Sequence, residues 1–176
     1  MSTKSSVSRQ DLSFPKILDK NDDTTKFSCG KKEIDDFIKK EALTFQESLL
    51  GVTYLFNQGK DLIGFATLCM GYINKQKMAS GQRLPKPISG YPALLIGQLG
   101  VCGKHQGNGV GTYICDFCFD RAIKLSHRVG CRFLVVDALE SAVDFYVKYG
   151  FTLAPKQEKE IQKLMFLDIT KGPTKR

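Results

Sequence analysis

The segment HQGNGVGTYI, residues 105–114, decides the fold that this chain is expected to adopt. Glycines occupy positions 107, 109 and 111, directly before an apolar stretch with helical spacing. Glycines at the start of a helix leave backbone N–H groups uncovered, so that these groups can converge on an anion, and the helix end adds about half a positive charge. The segment therefore predicts a phosphate-binding loop. The alternative is a tight turn that allows close helix packing.

The phosphate loops of nucleotide-binding proteins do not match this segment. The chain lacks the pattern G-x-x-x-x-G-K-[ST], and it lacks G-x-G-x-x-G followed by an acidic residue in a doubly wound arrangement. A nucleotide-binding fold is therefore disfavoured.

The residues on either side of the segment predict a strand, a helix and a second strand in that order. Residues 93–101 (ALLIGQLGV) form an apolar run short enough for a buried strand, and Gly111–His127 has the apolar spacing of a helix. Residues 131–138 (CRFLVVDA) predict the next buried strand. A helix between two such strands favours their parallel pairing.

The rest of the chain predicts an α/β domain with one long loop. The further predicted elements are a helix at 31–48, strands at 52–57 and 61–73 joined as a hairpin, a loop at 75–92, a short helix at 141–150 ended by Gly150, and a final strand at 161–169. The complete predicted order is β-α-β-β-loop-β-α-β-α-β. No internal repeat or linker divides the chain, so we expect one domain over residues 1–176, with flexible termini at about 1–12 and 172–176.

Composition indicates a globular protein, and the net charge favours a polyanionic partner or ligand. The 176 residues are 42% hydrophobic and 25% charged, which excludes a disordered or fibrous chain, and the formal net charge is +8. No apolar run reaches the roughly 18 to 20 residues of a membrane-spanning helix, and the start MSTKSSVSRQ lacks the apolar core of a signal peptide. We therefore expect a cytoplasmic protein without a membrane partner.

The chain has six cysteines, and in a cytoplasmic protein we expect them to be reduced thiols. Cys115 and Cys118 form a C-x-x-C pair, which raises zinc or redox chemistry as an alternative. No second pair follows at zinc-finger spacing, and both cysteines lie inside the predicted helix. We therefore predict no metal site.

The glycine-rich segment and its surroundings resemble the GNAT acetyltransferases. The family signature Q/R-x-x-G-x-G/A matches QGNGVG at residues 106–111, and DFYVKYGF at residues 144–151 is similar to the family's Y-x-x-x-G-F ending. The resemblance covers roughly residues 13–169. It implies an α/β GNAT fold, in which a mixed central β-sheet has a splayed central parallel strand pair and flanking helices.

The resemblance also implies acetyl-CoA as the cofactor, used as a co-substrate. In this family the strand before the loop binds the pantetheine arm, which corresponds here to Leu99, Gly100 and Val101. The pyrophosphate binds at the glycine loop, residues 106–112, whose members are Gln106, Gly107, Asn108, Gly109, Val110, Gly111 and Thr112.

Tyr146 occupies the family's position for the catalytic acid. When an amine attacks the thioester, the departing thiolate must be protonated, and a phenol with a pKa of about 10 can donate to a thiolate whose conjugate acid has a pKa of about 8.5. Tyr149 is the nearest competitor, and register favours Tyr146 because it lies four residues before Gly150. His105 and His127 lie where solvated histidines are usual.

The sequence offers no dedicated general base. The strand position that carries glutamate in several GNAT enzymes is Gln98, and Asp137 closes the next strand, where its alternative role is to cap or brace that strand. A lysine ε-amine with a pKa of about 10.4 needs a base, whereas an α-amine of about 7.7 to 8.0 is already partly neutral at neutral pH. The site is therefore better suited to an α-amine.

One branch of the family is similar over several segments, namely the tRNA-acetylating toxins of bacterial toxin-antitoxin pairs. Its features here are the F-x-C-G start and helix of Phe27–Ala42, the Pro-rich loop at 83–92, the strand at 94–101 and the VDAL segment at 136–139. The resemblance implies acetylation of the α-amino group of charged tRNA, which blocks translation, and a small ribbon-helix-helix antitoxin as a partner. A homodimer is left open.

Two departures from that branch keep other functions open. The usual LGRLAVD is IGQLGVC at residues 96–102, and Phe37 stands where the branch often has tryptophan. The alternatives are a GNAT enzyme that acetylates a protein N-terminus or a small amine and, from another class, a non-catalytic nucleic-acid-binding module.

Basic residues near the long loop are candidate contacts for tRNA phosphates. Those in or beside the loop are Lys75, Lys77, Arg83 and Lys86, and those that follow the helix after the glycine loop are Lys124, Arg128 and Arg132. A phosphate-binding surface and a solvated basic face are the two interpretations.

Overall fold

Strands and helices alternate along residues 13–174, which are the residues that the computed structural model describes. The strands are β1 (Lys16–Ile17), β2 (Val52–Gln58), β3 (Asp61–Asn74), β4 (Gly90–Val101), β5 (Phe133–Leu139), β6 (Thr152–Leu153) and β7 (Gln162–Asp168). The helices are α1 (Lys32–Asp36), α2 (Ala42–Glu47), α3 (Val110–Ser126) and α4 (Val143–Tyr149). The flexibility predicted for residues 1–12 and 175–176 lies outside the described residues.

The strands form one mixed sheet in the order β1-β2-β3-β4-β5-β7-β6. β4 and β5 pair in parallel, with Ala93–Ile96 opposite Phe133–Val136, as expected when a helix connects two neighbouring strands. The pairs β1–β2, β2–β3, β5–β7 and β6–β7 are antiparallel. The predicted mixed sheet with a central parallel pair is therefore confirmed, and so is the hairpin of β2 and β3.

A π turn at Phe37–Glu41 joins α1 to α2. The Ala42 N–H donates to the Phe37 carbonyl five residues earlier, which is the hydrogen bond of a π turn. Phe37, Ile38 and Ala42 are buried, so the apolar stripe of the predicted helix faces a core. The helix predicted at 31–48 is confirmed, although the apolar spacing did not indicate the extra residue in the turn.

The long loop is shorter than predicted because β4 begins at Gly90. The segment GYP at residues 90–92 has the composition of a turn, which led to the prediction of a loop as far as residue 92. However, Tyr91 is buried and the Pro92 carbonyl accepts a hydrogen bond of 2.8 Å from the Arg132 N–H. Proline lacks a donor but retains its acceptor, so this position is compatible with a strand.

Three smaller differences concern strand ends and short strands. β5 begins at Phe133, two residues later than predicted. β6 was not predicted, and the first strand of the predicted order had no residues assigned to it. β1 and β6 have two residues each, which is too short for an alternating pattern to show.

Contacts divide the described residues into two compact groups. One comprises residues 13–69 and 97–116, and the other comprises 70–96 and 117–174. The first has a core of Leu18, Phe27, Phe37, Ile38, Ala42, Leu55 and Phe65. The second has a core of Ile73, Met78, Tyr91, Ala93, Phe133, Val135, Ala154 and Phe166. The single domain stays a prediction; the glycine loop belongs to the first group and Tyr146 to the second.

Candidate active site

The glycine loop leads directly into the first turn of α3. Gly107 and Gly109 have φ of 75° and 83°, a left-handed conformation that glycine adopts without the strain of a side chain. The Tyr113 N–H donates to the Gly109 carbonyl at 3.0 Å, which closes the first turn of the helix. The N–H groups of residues 110–112 therefore have no acceptor within the helix, as at any helix start. These groups are the donors that the sequence predicted for an anion.

Open space lies in front of Gly109. A Cβ added there would meet no protein atom within 4 Å, so packing does not explain the glycine. Close approach of α3 instead uses Gly64 of β3, where an added Cβ would lie 2.6 Å from Ile114 Cδ1. The tight-packing alternative is therefore not supported at Gly109, and phosphate binding at the loop stays a prediction.

The end of β4 is fixed by packing against two phenylalanines. An added Cβ at Gly100 would lie 2.7 Å from Phe65 Cε1 and 3.1 Å from Phe27 Cζ. Leu99 and Val101, on either side, are half-buried. The core thus holds the strand segment that was predicted to bind the pantetheine arm, and that contact stays a prediction.

Gln106, the first residue of the glycine loop, uses its side chain within the protein. Its Nε2 donates to the Cys29 carbonyl and to the Val101 carbonyl, both at 2.9 Å. Both amide hydrogens are therefore directed to protein acceptors. A direct contact of Gln106 with the cofactor stays a prediction.

Tyr146 lies in the middle of α4. Its ring makes edge contacts with Phe145 at 5.0 Å and Phe151 at 5.2 Å between centroids. Gly150, with φ of 123°, ends the helix, and the Phe151 N–H donates to the Tyr146 carbonyl at 2.9 Å. Helix termination at Gly150, as predicted, therefore fixes the backbone around this tyrosine.

Burial does not separate the two tyrosines of α4. Tyr146 is 5% exposed and Tyr149 is 2% exposed, and both contact the ring of Phe151. The choice of Tyr146 as the acid therefore still depends on its register before Gly150.

Gln98 and Asp137 are the polar residues of β4 and β5 that were considered for a base. Gln98 is half-buried and cannot accept a proton at neutral pH. Asp137 remains in contact with solvent, but the surrounding protein raises the pKa of its carboxyl through partial desolvation. The lack of a dedicated base therefore stays a prediction, and so does the role of Asp137.

A model of the GNAT acetyltransferase family matches residues 15–151 of the chain. The chain belongs to this family. The match includes the glycine loop, α4 and Tyr146, which are the elements on which the resemblance was based.

Two curated proteins are similar to this acetyltransferase over most of its length. The tRNA-acetylating toxin of Mycobacterium tuberculosis is 29% identical over 158 residues, which cover 87% of this chain and 92% of that protein. The probable toxin TacT of Sinorhizobium fredii is 26% identical over 158 residues, which cover 84% of this chain and 85% of that protein.

Solved structures share the fold of this acetyltransferase. A tyrosine-to-phenylalanine variant of KacT has a TM-score of 0.81 at 24% identity, with coverage of 92% of this chain and 97% of that one. AtaT complexed with acetyl-methionyl-tRNAfMet has a TM-score of 0.80 at 23% identity, with coverage of 92% and 96%. The predicted GNAT fold is thereby confirmed.

The long loop of the acetyltransferase is ordered by hydrogen bonds from its own basic residues. Lys75 Nζ donates to the Lys86 carbonyl at 2.9 Å, and Arg83 Nε donates to the Met78 carbonyl at 3.0 Å. Lys77, Arg83 and Lys86 are exposed, and Lys75 is half-buried. The predicted substrate residues thus lie on one ordered segment, and their contact with tRNA stays a prediction.

Lys124 lies in the last turn of α3 and Arg128 and Arg132 follow the helix, so the predicted position after the helix is wrong for Lys124; the three also differ in whether they pair with a carboxylate. Lys124 pairs with Asp120 at 2.7 Å, and Arg132 pairs with Asp168 at 2.6 Å. Arg128 is exposed. The loop residues are therefore better candidates for phosphate contacts than Lys124 and Arg132.

The cysteines of the acetyltransferase are all free thiols. Cys115 and Cys118 are completely buried in α3, and burial raises the pKa of the Cys118 thiol.

Within residues 13–174, no three histidine, cysteine or acidic side chains lie close enough together to hold a metal ion. In the same range, no helix is long and apolar enough to cross a membrane.

Sequence reasoning missed the hydrogen bonds that Asp35 makes to the F-x-C-G segment. Its carboxylate accepts hydrogen bonds from the Cys29 N–H at 2.7 Å and from Ser28 Oγ at 3.0 Å. The available signal was an aspartate in the first turn of a helix, six residues after the cysteine of the F-x-C-G pattern.

Proposed function

We propose that this chain acetylates the α-amino group of aminoacyl-tRNA with acetyl-CoA and thereby inhibits translation. The observation that carries the proposal is the match of the chain, over 87% of its length, to a tRNA-acetylating toxin. The free space at Gly109 is compatible with a bound pyrophosphate, and the net charge of +8 is compatible with a polyanionic substrate.

The glycine loop and β4 would hold the cofactor. The first-turn N–H groups of α3 bind the pyrophosphate, since they are donors without helical partners at the positive end of a helix. The backbone of Leu99–Val101 binds the pantetheine arm. Bound acetyl-CoA supplies the activated acetyl thioester, and the protein supplies orientation and a proton.

Tyr146 acts as the general acid. As the substrate nitrogen bonds to the acetyl carbon and the carbon–sulfur bond breaks, the tyrosine hydroxyl donates its proton to the departing sulfur. The proton released by the amine passes to water, and Tyr146 is reprotonated from solvent. A phenol with an ordinary pKa of about 10 holds its proton at neutral pH, so it is ready to donate.

The acceptor is an α-amine because the site has no dedicated carboxylate base at Gln98. An α-amine with a pKa of about 7.7 to 8.0 is partly neutral at pH 7, whereas a lysine amine of about 10.4 is almost wholly protonated. The tRNA phosphates bind the exposed basic side chains of the long loop, Lys77, Arg83 and Lys86, together with Lys75.

A small ribbon-helix-helix antitoxin is the proposed partner. The protein AtaT has been solved bound to the C-terminus of the antitoxin AtaR, and the AtaT–AtaR complex has been solved bound to DNA. The open reading frame beside the gene of this chain is therefore expected to encode such a protein.

The proposed localisation is the cytoplasm, because charged tRNA is the substrate of this enzyme.

The test is an acceptor panel with radiolabelled acetyl-CoA. We expect purified protein to label charged tRNA but not uncharged tRNA, polyamines or a lysine-bearing peptide. Tyr146→Phe is expected to lower turnover by about 100-fold or more, the usual contribution of a general acid. Tyr149→Phe is the matched control, because it removes the hydroxyl of an equally buried tyrosine of α4, and it should retain most activity.

Other outcomes identify the alternatives. Label in peptide N-termini or polyamines would contradict the tRNA assignment and indicate another acetyltransferase substrate. Binding of tRNA without any transfer of label would indicate the non-catalytic nucleic-acid-binding module.

A further inference from the structure

The residues of the F-x-C-G pattern form a turn that is anchored in the core. We name Phe27–Gly30 the FxCG turn. Phe27 is 2% exposed and packs edge-on against Phe65, with 5.3 Å between ring centroids. Gly30 has φ of 83°, the left-handed conformation that reverses the chain before α1. One end of the turn is thus held by a buried ring.

Asp35 holds the other side of the FxCG turn. Its carboxylate accepts from the Cys29 N–H at 2.7 Å and from Ser28 Oγ at 3.0 Å. Partial burial acts to raise the pKa of Asp35, but the hydrogen bonds from Cys29 and Ser28 outweigh it and hold the pKa below its ordinary value. The turn is therefore fixed by a charged acceptor as well as by packing.

The carbonyl groups of the FxCG turn are acceptors for the chain that enters the glycine loop. The Ser28 carbonyl accepts from the Gly103 N–H at 2.9 Å. The Cys29 carbonyl accepts from Gln106 Nε2 at 2.9 Å, and the same nitrogen donates to the Val101 carbonyl at the end of β4. One side-chain amide therefore ties together the FxCG turn, β4 and the glycine loop.

We infer that Gln106 is a positioning residue that holds the glycine loop against the FxCG turn, and that the turn acts as a clamp for the cofactor loop. This inference rests on the proposed function, since it assumes that acetyl-CoA binds at the loop. Gly107 and Gly109 follow directly, and glycine restrains the backbone less than any other residue. A loop with such residues needs an external restraint if its N–H groups are to converge on one anion. Gln106 provides that restraint at the entrance of the loop.

The experiment compares two glutamines whose side-chain amides each join two backbone groups. Gln106→Leu removes both hydrogen bonds at the loop. Gln46→Leu is the control, because Gln46 Nε2 donates to the Leu18 carbonyl at 2.8 Å and its Oε1 accepts from the Thr53 N–H at 2.9 Å. Each variant thus loses a bridging amide within the same compact group, but only one of these amides contacts the loop.

We expect Gln106→Leu to raise the calorimetric Kd and the KM for acetyl-CoA by about tenfold, the size of one or two lost hydrogen bonds, while kcat changes little. Gln46→Leu should lower Tm at least as much as Gln106→Leu does, but it should leave the Kd for acetyl-CoA unchanged. Gln106→Arg should restore binding, because a guanidinium can donate to the same two carbonyl groups. Asp35→Leu should also raise Kd, although the loop sequence is intact.

Three results would overturn the inference. The first is an unchanged Kd for acetyl-CoA in Gln106→Leu. The second is a rise of Kd in Gln46→Leu as large as that in Gln106→Leu, when both variants lose the same amount of Tm. The third is a Gln106→Arg variant that binds acetyl-CoA no better than Gln106→Leu. A wild-type protein that binds no acetyl-CoA would instead overturn the proposed function, and the inference with it, so the two failures are distinguishable.

Discussion

Asp35 combines a structural and an electrostatic task in one side chain. It lies in the first turn of α1, where the helix end favours a negative charge, and it accepts hydrogen bonds from Cys29 and Ser28. A protonated carboxyl would be a weaker acceptor for these donors. The geometry of the FxCG turn is therefore coupled to the ionisation of one residue.

The lowered pKa of Asp35 predicts that acid destabilises the protein through this residue. A carboxyl whose folded pKa lies below its unfolded value, which is about 3.9, stabilises the fold above that value and loses this contribution as pH falls through the folded pKa. Asp35→Asn cannot change charge, so the free energy of unfolding should fall less steeply below about pH 4 than in the wild type. Urea unfolding at several pH values measures this difference. An identical pH dependence in the two proteins would contradict the assignment.

At the scale of elements, the glycine loop and α3 form one continuous structural unit. β4 delivers the chain to the loop, the left-handed glycines turn it, and α3 presents its unpaired N–H groups. The close contact of the helix with β3 at Gly64 fixes the position of its first turns. The direction of the donors is thus a consequence of packing behind the loop rather than of contacts in front of it.

Gly109→Ala is expected to weaken acetyl-CoA binding more than it weakens the fold. The left-handed φ of 83° costs an alanine about 1 kcal/mol of stability, and the new methyl group enters the open space in front of the loop. Gly130→Ala is the matched control, with φ of 80° and no protein atom within 4 Å of the added Cβ, but outside the loop. Similar losses of unfolding free energy with a rise of Kd only in Gly109→Ala would support the loop assignment. Equal Kd values for the two variants would count against it.

Elements with clear periodicity were predictable from the sequence, and contacts between distant segments were not. The spacing of apolar residues gave the helix at Gly111–His127 within one residue at each end, since the structure has it at Val110–Ser126. The two-residue strand β6 has no pattern of its own and exists because β7 offers a partner. In the site, the motif placed Gln106 correctly in the loop, but its acceptor Cys29 is 77 residues away in the chain. No local pattern contains that information.

At the scale of the whole molecule, the basic side chains differ in whether they are free to bind a polyanion. The chain has 26 lysine and arginine residues, yet several of them, such as Lys16, Lys124 and Arg132, pair with carboxylates. The long loop retains exposed basic side chains at Lys77 and Lys86. The effective surface for nucleic acid is therefore narrower than the number of basic residues indicates.

This distribution predicts how tRNA binding responds to salt. If the long loop contacts phosphates, the logarithm of the affinity should fall linearly with the logarithm of salt concentration, because each contact releases condensed counterions. Lys77→Ala should weaken binding of all charged tRNAs alike and reduce the magnitude of this slope by about one. Lys20→Ala removes an exposed lysine outside the loop and serves as the control with an unchanged slope. Titrations of each variant at several salt concentrations measure both quantities. Equal slopes for Lys77→Ala and Lys20→Ala would show that the loop is a solvated basic face, and the search for the tRNA surface would then turn to Arg128. An affinity that does not depend on salt would contradict phosphate contacts anywhere on the protein.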